Sequence, residues 1–276
     1  MLTQIKPDSS SALIDWDLLY RYRDLLWLWV RRDMVAKYRQ TLLGPLWFVF
    51  QPLVTALIFL LVFSKGLNVS TDGVPPVLFY LSGLLVWTYV SQTLNSTSMT
   101  LIANSGLFKK VFFPRLILPF SYSLSSLVSV ALQMGIILTI YCGLIMSGAQ
   151  VRPGPMIGLF PLFLLQMIFL SFGLGLWISA LSVRYRDFHH LWSLLSPLWL
   201  YVTPVSYPLS AIPYQWRWLI ELNPLTTIIE GMRLGLLQVG TLSFTAWSVS
   251  FAETLLIVFS GIVLFQKVER NCVDSI

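Results

Sequence analysis

The chain has 276 residues, of which 56% are hydrophobic and 11% charged, and its mean hydropathy is +0.75. An ordinary soluble domain carries about 25% charged residues, so this composition excludes a soluble globular protein and indicates one that crosses a membrane several times. The formal net charge of +6 does not require a nucleic-acid partner, because the cations concentrate beside apolar runs, where anionic lipid attracts them.

The first element along the chain is a charged stretch with tryptophans, at residues 15–30. Asp17, Arg21 and Asp24 fall on one face at helical spacing, and the apolar residues crowd elsewhere. This pattern predicts an N-terminal amphipathic helix that lies in the headgroup layer of the membrane. A soluble amphipathic helix packed on a partner remains the alternative. The Gly44-Pro45 pair then breaks the chain before the first apolar run.

Six apolar runs follow, and each is long enough to cross a bilayer, which takes about 20 residues. They lie at 46–63, 76–94, 118–146, 156–181, 191–207 and 247–265. The sequence therefore predicts an all-α polytopic membrane protein with six transmembrane helices. We expect a cytoplasmic segment at 1–44, a membrane domain at 45–266 and a cytoplasmic tail at 267–276.

Positive charges orient the predicted helices. With both termini in the cytoplasm, 14 of the 18 lysines and arginines fall on the inner side, and Lys65, Arg152, Arg217 and Arg233 fall outside. Inner loops of membrane proteins carry such an excess of cations. The sequence thus predicts cytoplasmic N and C termini.

Small and polar residues recur at helix-packing distance inside two of the runs. One stripe consists of Ser171, Gly175 and Ser179, and the other of Ser121, Ser125, Ser129 and Gln133. Small residues four apart let helices approach closely in lipid. For the second stripe, helix packing and the lining of a polar conduit both remain open.

The stretch between the fifth and sixth runs, at 209–236, consists of short apolar pieces interrupted by prolines and charges. Each piece is too short to cross, and irregular backbone at membrane depth survives only inside protein or beside water. The stretch predicts a re-entrant helical hairpin on the outer side. Glu230 and Arg233, three residues apart, can pair on one helix face.

Motifs for common catalytic chemistry are missing from the sequence. It contains no G-x-x-x-x-G-K-[ST] phosphate loop, no H-E-x-x-H and no G-x-S-x-G. His189 and His190 are adjacent and diverge by about 100° on a helix, so we expect no metal site there. The apolar runs hold almost no carboxylates, which argues against proton- or sodium-coupled transport.

Aromatic residues make up 14% of the chain. Most are expected in interfacial belts or in helix packing, but flat rings with polar edges also suit a passage for sugar chains. The candidates for lining such a channel are Phe59, Phe63, Tyr80, Trp87, Trp199, Tyr201 and Tyr207.

Several motifs occur in the order typical of one family. Residues 32–47 (RDMVAKYRQTLLGPLW) resemble the segment before the first span of ABC-2 type permeases for polysaccharide export. Residues 104–114 (NSGLFKKVFFP), 183–187 (VRYRD), 203–207 (TPVSY) and the Asn223-Pro224 pair are similar to that family's later motifs. The departures are small, with Phe108 where Ile or Val is usual and Thr203 in place of Ser.

The resemblance implies an ABC-2 fold of the type V exporter kind, a homodimer, and two copies of a separate ABC ATPase subunit. ATP and Mg²⁺ would then be bound by that partner, and this chain would need no cofactor of its own. Cytoplasmic residues are implied to form the surface that receives the ATPase: Arg32, Asp33, Lys37, Tyr38, Arg39, Asn104, Leu107, Lys109, Lys110, Arg184, Arg186 and Asp187.

By the same resemblance, the substrate would be an undecaprenyl-diphosphate-linked polysaccharide, exported across the bacterial cytoplasmic membrane. Arg21 or Arg23 would meet the diphosphate. The hairpin would narrow the outer mouth as a gate made of Glu221, Asn223, Glu230 and Arg233. Two alternatives remain, namely a permease that exports drugs or lipids, and an integral-membrane transferase that modifies lipid-linked glycans.

Overall fold

The structure is a computed structural model, and it describes residues 16–39, 41–108, 110–111, 113–149, 151–185 and 187–274. Over these ranges the regular secondary structure is helical throughout. The predicted all-α class is therefore confirmed.

Within the described ranges, five helices are long and apolar enough to cross a membrane. They are Gly44–Gly66, Pro76–Ser98, Ile117–Met146 and Pro155–Arg184, here spans 1 to 4, and Phe244–Glu269, here the last span. The fifth predicted run forms a shorter helix, Asp187–Val202, here the short helix. Its 16 residues rise about 24 Å, which is less than the roughly 30 Å of a hydrocarbon core. The count of six spans stays a prediction.

The predicted N-terminal amphipathic helix corresponds to Arg23–Tyr38, here the interface helix, which follows a single short helix at Trp16–Arg21. Its Trp29 packs in a cluster with Ile117 and Leu118, at the start of span 3. The interface helix therefore lies at the end of the molecule where span 3 begins.

Span 2 is the central helix, and spans 1, 3 and 4 all pack on it. One reason for the close packing is Gly175 of span 4, where an added Cβ would lie 2.8 Å from the side chain of Thr97. Ser171 and Ser179, four residues to either side, are fully buried. The predicted packing role of this stripe is confirmed.

Span 4 and the last span approach each other even more closely than spans 2 and 4 do. A Cβ added at Gly173 would lie 2.8 Å from the Cα of Val258, and one at Gly261 would lie 2.7 Å from the carbonyl oxygen of Gly173. The two backbones are thus in direct contact along this seam, as small residues permit in lipid.

Two short helices occupy the stretch predicted as a re-entrant hairpin: Tyr214–Glu221 and Pro224–Leu237, here the first and second hairpin helices. The second packs beside Pro155–Leu159, the 3-10 turn at the start of span 4, which lies at the same end of the molecule as the end of span 3. Because span 3 has 30 residues and rises about 45 Å, the hairpin lies at the opposite end of the molecule from the interface helix. Its depth in a membrane stays a prediction.

Candidate functional site

A buried ion pair lies at the centre of the hairpin. Glu230 and Arg233 are 2% and 0% exposed, and the Nη1 atom of Arg233 lies 3.4 Å from Oε1 of Glu230. The predicted pairing is confirmed. Burying two charges costs several kcal/mol unless their remaining hydrogen-bonding capacity is also met, so the further partners of the pair determine what it does.

Arg233 joins three parts of the chain. Its guanidinium donates to the carbonyl oxygens of Pro204 at 2.7 Å and Val205 at 2.9 Å, just beyond the short helix. Its central carbon lies 3.7 Å from the centre of the Phe79 ring in span 2. Gly83 makes room, because a Cβ there would lie 2.8 Å from Nη2 of Arg233. The planar fork of arginine suits this combination of stacking and bidentate donation.

Glu230 adds a fourth part, the loop that leads into the last span. Its Oε2 atom accepts a hydrogen bond of 2.7 Å from the backbone N–H of Thr241. The preceding Gly240 has φ +122°, a backbone conformation that other residues rarely adopt. The ion pair thus fixes the hairpin to span 2, to the end of the short helix and to the start of the last span.

Asn223 links two of the sequence motifs directly. Its Oδ1 atom accepts from the N–H of Leu225 and caps the second hairpin helix, at 3.2 Å. Its Nδ2 donates to the hydroxyl oxygen of Thr203 at 2.9 Å, and that hydroxyl donates to the carbonyl oxygen of Trp199. The Thr203-Pro204 and Asn223-Pro224 motifs therefore meet in space.

The four residues predicted as an outer gate occupy two environments. Glu230 and Arg233 are buried, and Asn223 is half-buried at the helix cap. Glu221 faces an open cleft of about 830 Å³ between the first hairpin helix and the loop before the last span. The structure thus pairs Glu230 with Arg233 directly, attaches both Arg233 and Asn223 to residues 203–205, and places Glu221 apart. The gating role stays a prediction for all four.

At the opposite end, Asp33 connects the interface helix to span 3. The hydroxyl of Ser125 donates to its Oδ2 atom, and the ammonium of Lys37 lies 2.7 Å from the same carboxylate. Asp33 and Lys37, predicted as contacts for an ATPase subunit, are thus paired within the chain. The stripe that contains Ser125 is buried along its length, which supports its packing interpretation.

The other predicted docking residues differ in accessibility. Asn104 is buried, with its amide donating to the carbonyl oxygen of Thr100, and Leu107 is half-buried. Lys109, Arg186 and the side chain of Tyr38 lie outside the described residues. Five residues are exposed on this surface, which we call the basic face: Arg32, Arg39, Lys110, Arg184 and Asp187.

Most aromatic channel candidates are packed within the chain. Tyr80 is fully buried, with its ring 5.8 Å from Phe59, and Trp87 packs edge-on against Trp199 at 6.2 Å. Phe63 packs on Phe59, and the hydroxyl of Tyr207 donates to the carbonyl oxygen of Val202. Tyr201, in contrast, is 56% exposed. A passage lined by Phe59 or Tyr80 would need these helices to repack, and their channel role stays a prediction.

Arg23 stands at an apolar groove, whereas Arg21 is engaged elsewhere. The groove holds about 580 Å³ between the interface helix, spans 3 and 4 and the last span, with Phe120, Phe172 and Ile262 among its walls. Arg21 pairs with Asp17 at 2.8 Å on the exposed face of the preceding helix. Of the two predicted diphosphate contacts, Arg23 is therefore the one beside a space that suits a lipid chain.

Sequence reasoning missed three residues that give this site its shape, Phe79, Gly83 and Thr241, and it identified Ser125 only as part of a stripe. One signal was present, because Gly83 interrupts a span of bulky residues. An isolated glycine in a helix often marks a close approach, here that of Arg233. The other partners are set by tertiary packing and leave no local signature.

The sequence is similar to one family of transporters and to several of their named relatives. Residues 24–237 match a family described as ABC-2 type transporter. An O-antigen export system permease protein RfbA from Klebsiella pneumoniae is 27% identical over 246 residues, which cover 89% of this chain and 92% of the relative. Another protein of that name, from Myxococcus xanthus, is 31% identical over 213 residues, with 76% and 79% covered. The polysialic acid transport protein KpsM of Escherichia coli is 24% identical over 247 residues, with 88% and 93% covered.

Proposed function

Because the chain belongs to the ABC-2 type transporter family, we propose that it is the membrane permease of an ATP-driven exporter of lipid-diphosphate-linked polysaccharide in the bacterial cytoplasmic membrane. The family resemblance that the sequence predicted is confirmed. The observation that carries the substrate class is the similarity, over most of the chain, to permeases named for O-antigen export and for polysialic acid transport.

Two copies of the chain form the passage. Span 1 and the short helix support this arrangement, because both leave broad apolar faces that the rest of the chain does not cover. Exposed side chains on these faces include Leu57, Leu61, Leu194 and Leu198. In a homodimer, the same faces of the second copy would cover them and enclose a conduit between the copies.

A separate ABC ATPase subunit binds to the basic face, one copy for each permease chain. The basic face carries four exposed cations, Arg32, Arg39, Lys110 and Arg184, together with the exposed carboxylate of Asp187. Charges of this kind fix the register of a docked partner and speed its association. ATP and Mg²⁺ belong to that partner.

Movement of the ATPase reaches the membrane through the interface helix. Asp33 of this helix accepts a hydrogen bond from Ser125 of span 3, and Lys37 pairs with the same carboxylate, so a shift of the helix is transmitted to the spans. The ATPase can drive a conformational change only through a difference in its affinity for the two permease states. The diphosphate of the substrate approaches at Arg23, and the lipid chain lies in the adjoining apolar groove.

The test is reconstitution with the ATPase subunit and measurement of polysaccharide export into or out of proteoliposomes. We expect ATP-dependent export by the native chain, and loss of export together with loss of ATPase recruitment in Arg39→Glu. Lys65→Glu is the matched control, because Lys65 is an exposed cation at the other end of span 1. A chain that exports drugs or lipids but no polysaccharide would overturn the proposed substrate. Normal recruitment in Arg39→Glu would overturn the docking surface.

A further inference from the structure

The cleft beside Glu221 has the composition of a sugar-binding site. It lies between the first hairpin helix and residues 240–245, and its volume of about 830 Å³ falls within the range of ordinary ligand pockets. Trp218 and Tyr214 present flat rings to it, and they are 59% and 87% exposed. The polar side chains among its walls are Gln215, Arg217, Glu221, Thr241, Ser243 and Thr245.

The hydrogen-bonding groups that remain unused identify the kind of ligand. Within the described part of the chain, the Glu221 carboxylate and the Gln215 amide make no hydrogen bond or ion pair. Arg217 is committed, because its guanidinium donates to the carbonyl oxygens of Ile212 at 2.9 Å and Ser210 at 3.0 Å. The cleft therefore offers the Glu221 carboxylate and the Gln215 amide to a ligand, whereas the Arg217 guanidinium already has hydrogen-bond partners.

An available carboxylate beside a guanidinium that already has partners disfavours the binding of a phosphate or a lipid headgroup. An anionic ligand would be repelled by Glu221, and Arg217 would have to give up two hydrogen bonds to attract it. A hydroxyl-rich neutral ligand, in contrast, donates to a carboxylate and exchanges hydrogen bonds with an amide. Aromatic rings add apolar contact with the C–H face of a pyranose ring.

The wall of the cleft is held in place by the buried ion pair. The N–H of Thr241 donates to Glu230, and Leu234 of the second hairpin helix and Met156 complete the apolar part of the wall. The site is thus formed before any ligand arrives, which reduces the entropy lost on binding.

We propose that this cleft binds a short segment of the exported glycan at the outer end of the protein, through stacking on Trp218 and hydrogen bonds to Glu221 and Gln215. The inference rests on the proposed function for the identity of the glycan. A bound segment at the exit would disfavour backward sliding of a long chain between transport steps.

The test uses the full-length chain in lipid nanodiscs together with its ATPase subunit. The probe is the surface polysaccharide of the source bacterium, released from its lipid by mild acid and labelled for fluorescence anisotropy. We expect saturable binding to the native chain and about tenfold weaker binding to Trp218→Ala. Trp216→Ala is the matched control, because Trp216 lies on the same helix, is 55% exposed and does not line the cleft.

The possible results separate the two proposals. Equal affinity of Trp218→Ala and the native chain, or no binding to the native chain, overturns the cleft site while native export still supports the transport function. Absence of polysaccharide export by the native chain overturns the transport function itself. Competition by phosphatidylglycerol vesicles would identify a headgroup site and overturn the sugar site. Glu221→Gln keeps the size of the side chain, so it tests the same site if Trp218→Ala does not assemble.

Discussion

The guanidinium of Arg233 lies over the ring of Phe79, with its central carbon 3.7 Å from the ring centre. The two residues are separated by 154 positions, and their contact places the second hairpin helix against span 2. Arg233 is fully buried there, and Glu230 is the acidic residue that pairs with it. The consequences of this arrangement can be tested by substitution.

Arg233→Met should destabilise the protein strongly. The substitution leaves Glu230 buried without its charged partner, and breaking a buried pair in this way typically costs about 3–5 kcal/mol. Arg233→Met combined with Glu230→Gln should lower the free energy of unfolding by less than Arg233→Met alone, because the double variant no longer buries an unpaired charge. Thermal unfolding of the purified protein measures both, and Arg152→Met, at an exposed position, is the control. A single change as mild as the control would refute the importance of the pair.

Gly83→Ala should destabilise, although alanine ordinarily favours a helix. The new Cβ would lie 2.8 Å from Nη2 of Arg233 and 3.2 Å from the Cα of Val205, and overpacking of this kind costs about 1–3 kcal/mol. Gly135→Ala is the matched control, because no atom lies within 4 Å of a Cβ placed at that position in span 3. The control should be neutral or more stable by up to about 1 kcal/mol. The prediction fails if both variants unfold at the same temperature.

Ser125→Ala should loosen the interface helix without unfolding the spans. It removes the hydroxyl that donates to Asp33, and a hydrogen bond to a charged group contributes about 1.5–3 kcal/mol. Hydrogen–deuterium exchange over residues 23–38 should then be faster by roughly tenfold or more. Asp24→Asn is the control on the same helix, because its carboxylate is 94% exposed and its contact, 3.8 Å from Nε of Arg23, does not reach the spans; it should leave the exchange rate unchanged. Unchanged exchange in Ser125→Ala would mean that other contacts hold the helix.

Asn223→Ala should weaken the start of the second hairpin helix. Loss of the cap alone costs about 0.5–2 kcal/mol, and the hydrogen bond to Thr203 is lost as well. Asn223→Asp keeps an oxygen that can cap the helix but loses the N–H that donates to the Thr203 hydroxyl, whose own proton is donated to the carbonyl oxygen of Trp199. The unfolding temperature of Asn223→Asp should therefore lie between that of Asn223→Ala and that of the native chain. An aspartate variant no more stable than the alanine variant would count against the capping role.

The long spans could be predicted from sequence because length and hydropathy suffice to identify them. The second predicted run at 76–94 corresponds to Pro76–Ser98, and the others agree to a similar degree. The fifth run was predicted at 191–207, but the helix occupies Asp187–Val202. Residues 203–207 include Val205 and Tyr207 and carry no charge, so in the sequence they look like a continuation of the apolar run. Pro204 disfavours helical backbone at the residue before it, and the chain turns there.

The site could be predicted only where its residues are close in sequence. Glu230 and Arg233 share a helix face at a spacing of three, so their pairing follows from local geometry. The contact between Asp33 and Ser125 spans 92 positions, and that between Arg233 and Phe79 spans 154. Which helix lies beside which is decided by packing among many apolar surfaces that resemble one another. The same limit applies to Tyr80 and Trp87, because their spacing in the sequence does not reveal that both are packed inside the chain, and their channel role stays a prediction.

The seam between Gly173 and Val258 joins span 4 and the last span backbone to backbone. Backbones in direct contact cannot slide past each other without a steric clash, so span 4 and the last span must move as one body. Among the described residues, span 1 and the short helix show no glycine in such backbone contact with another helix, and they bury few of their side chains. We therefore expect any opening of the proposed passage to move span 1 and the short helix relative to the body that span 4 and the last span form together.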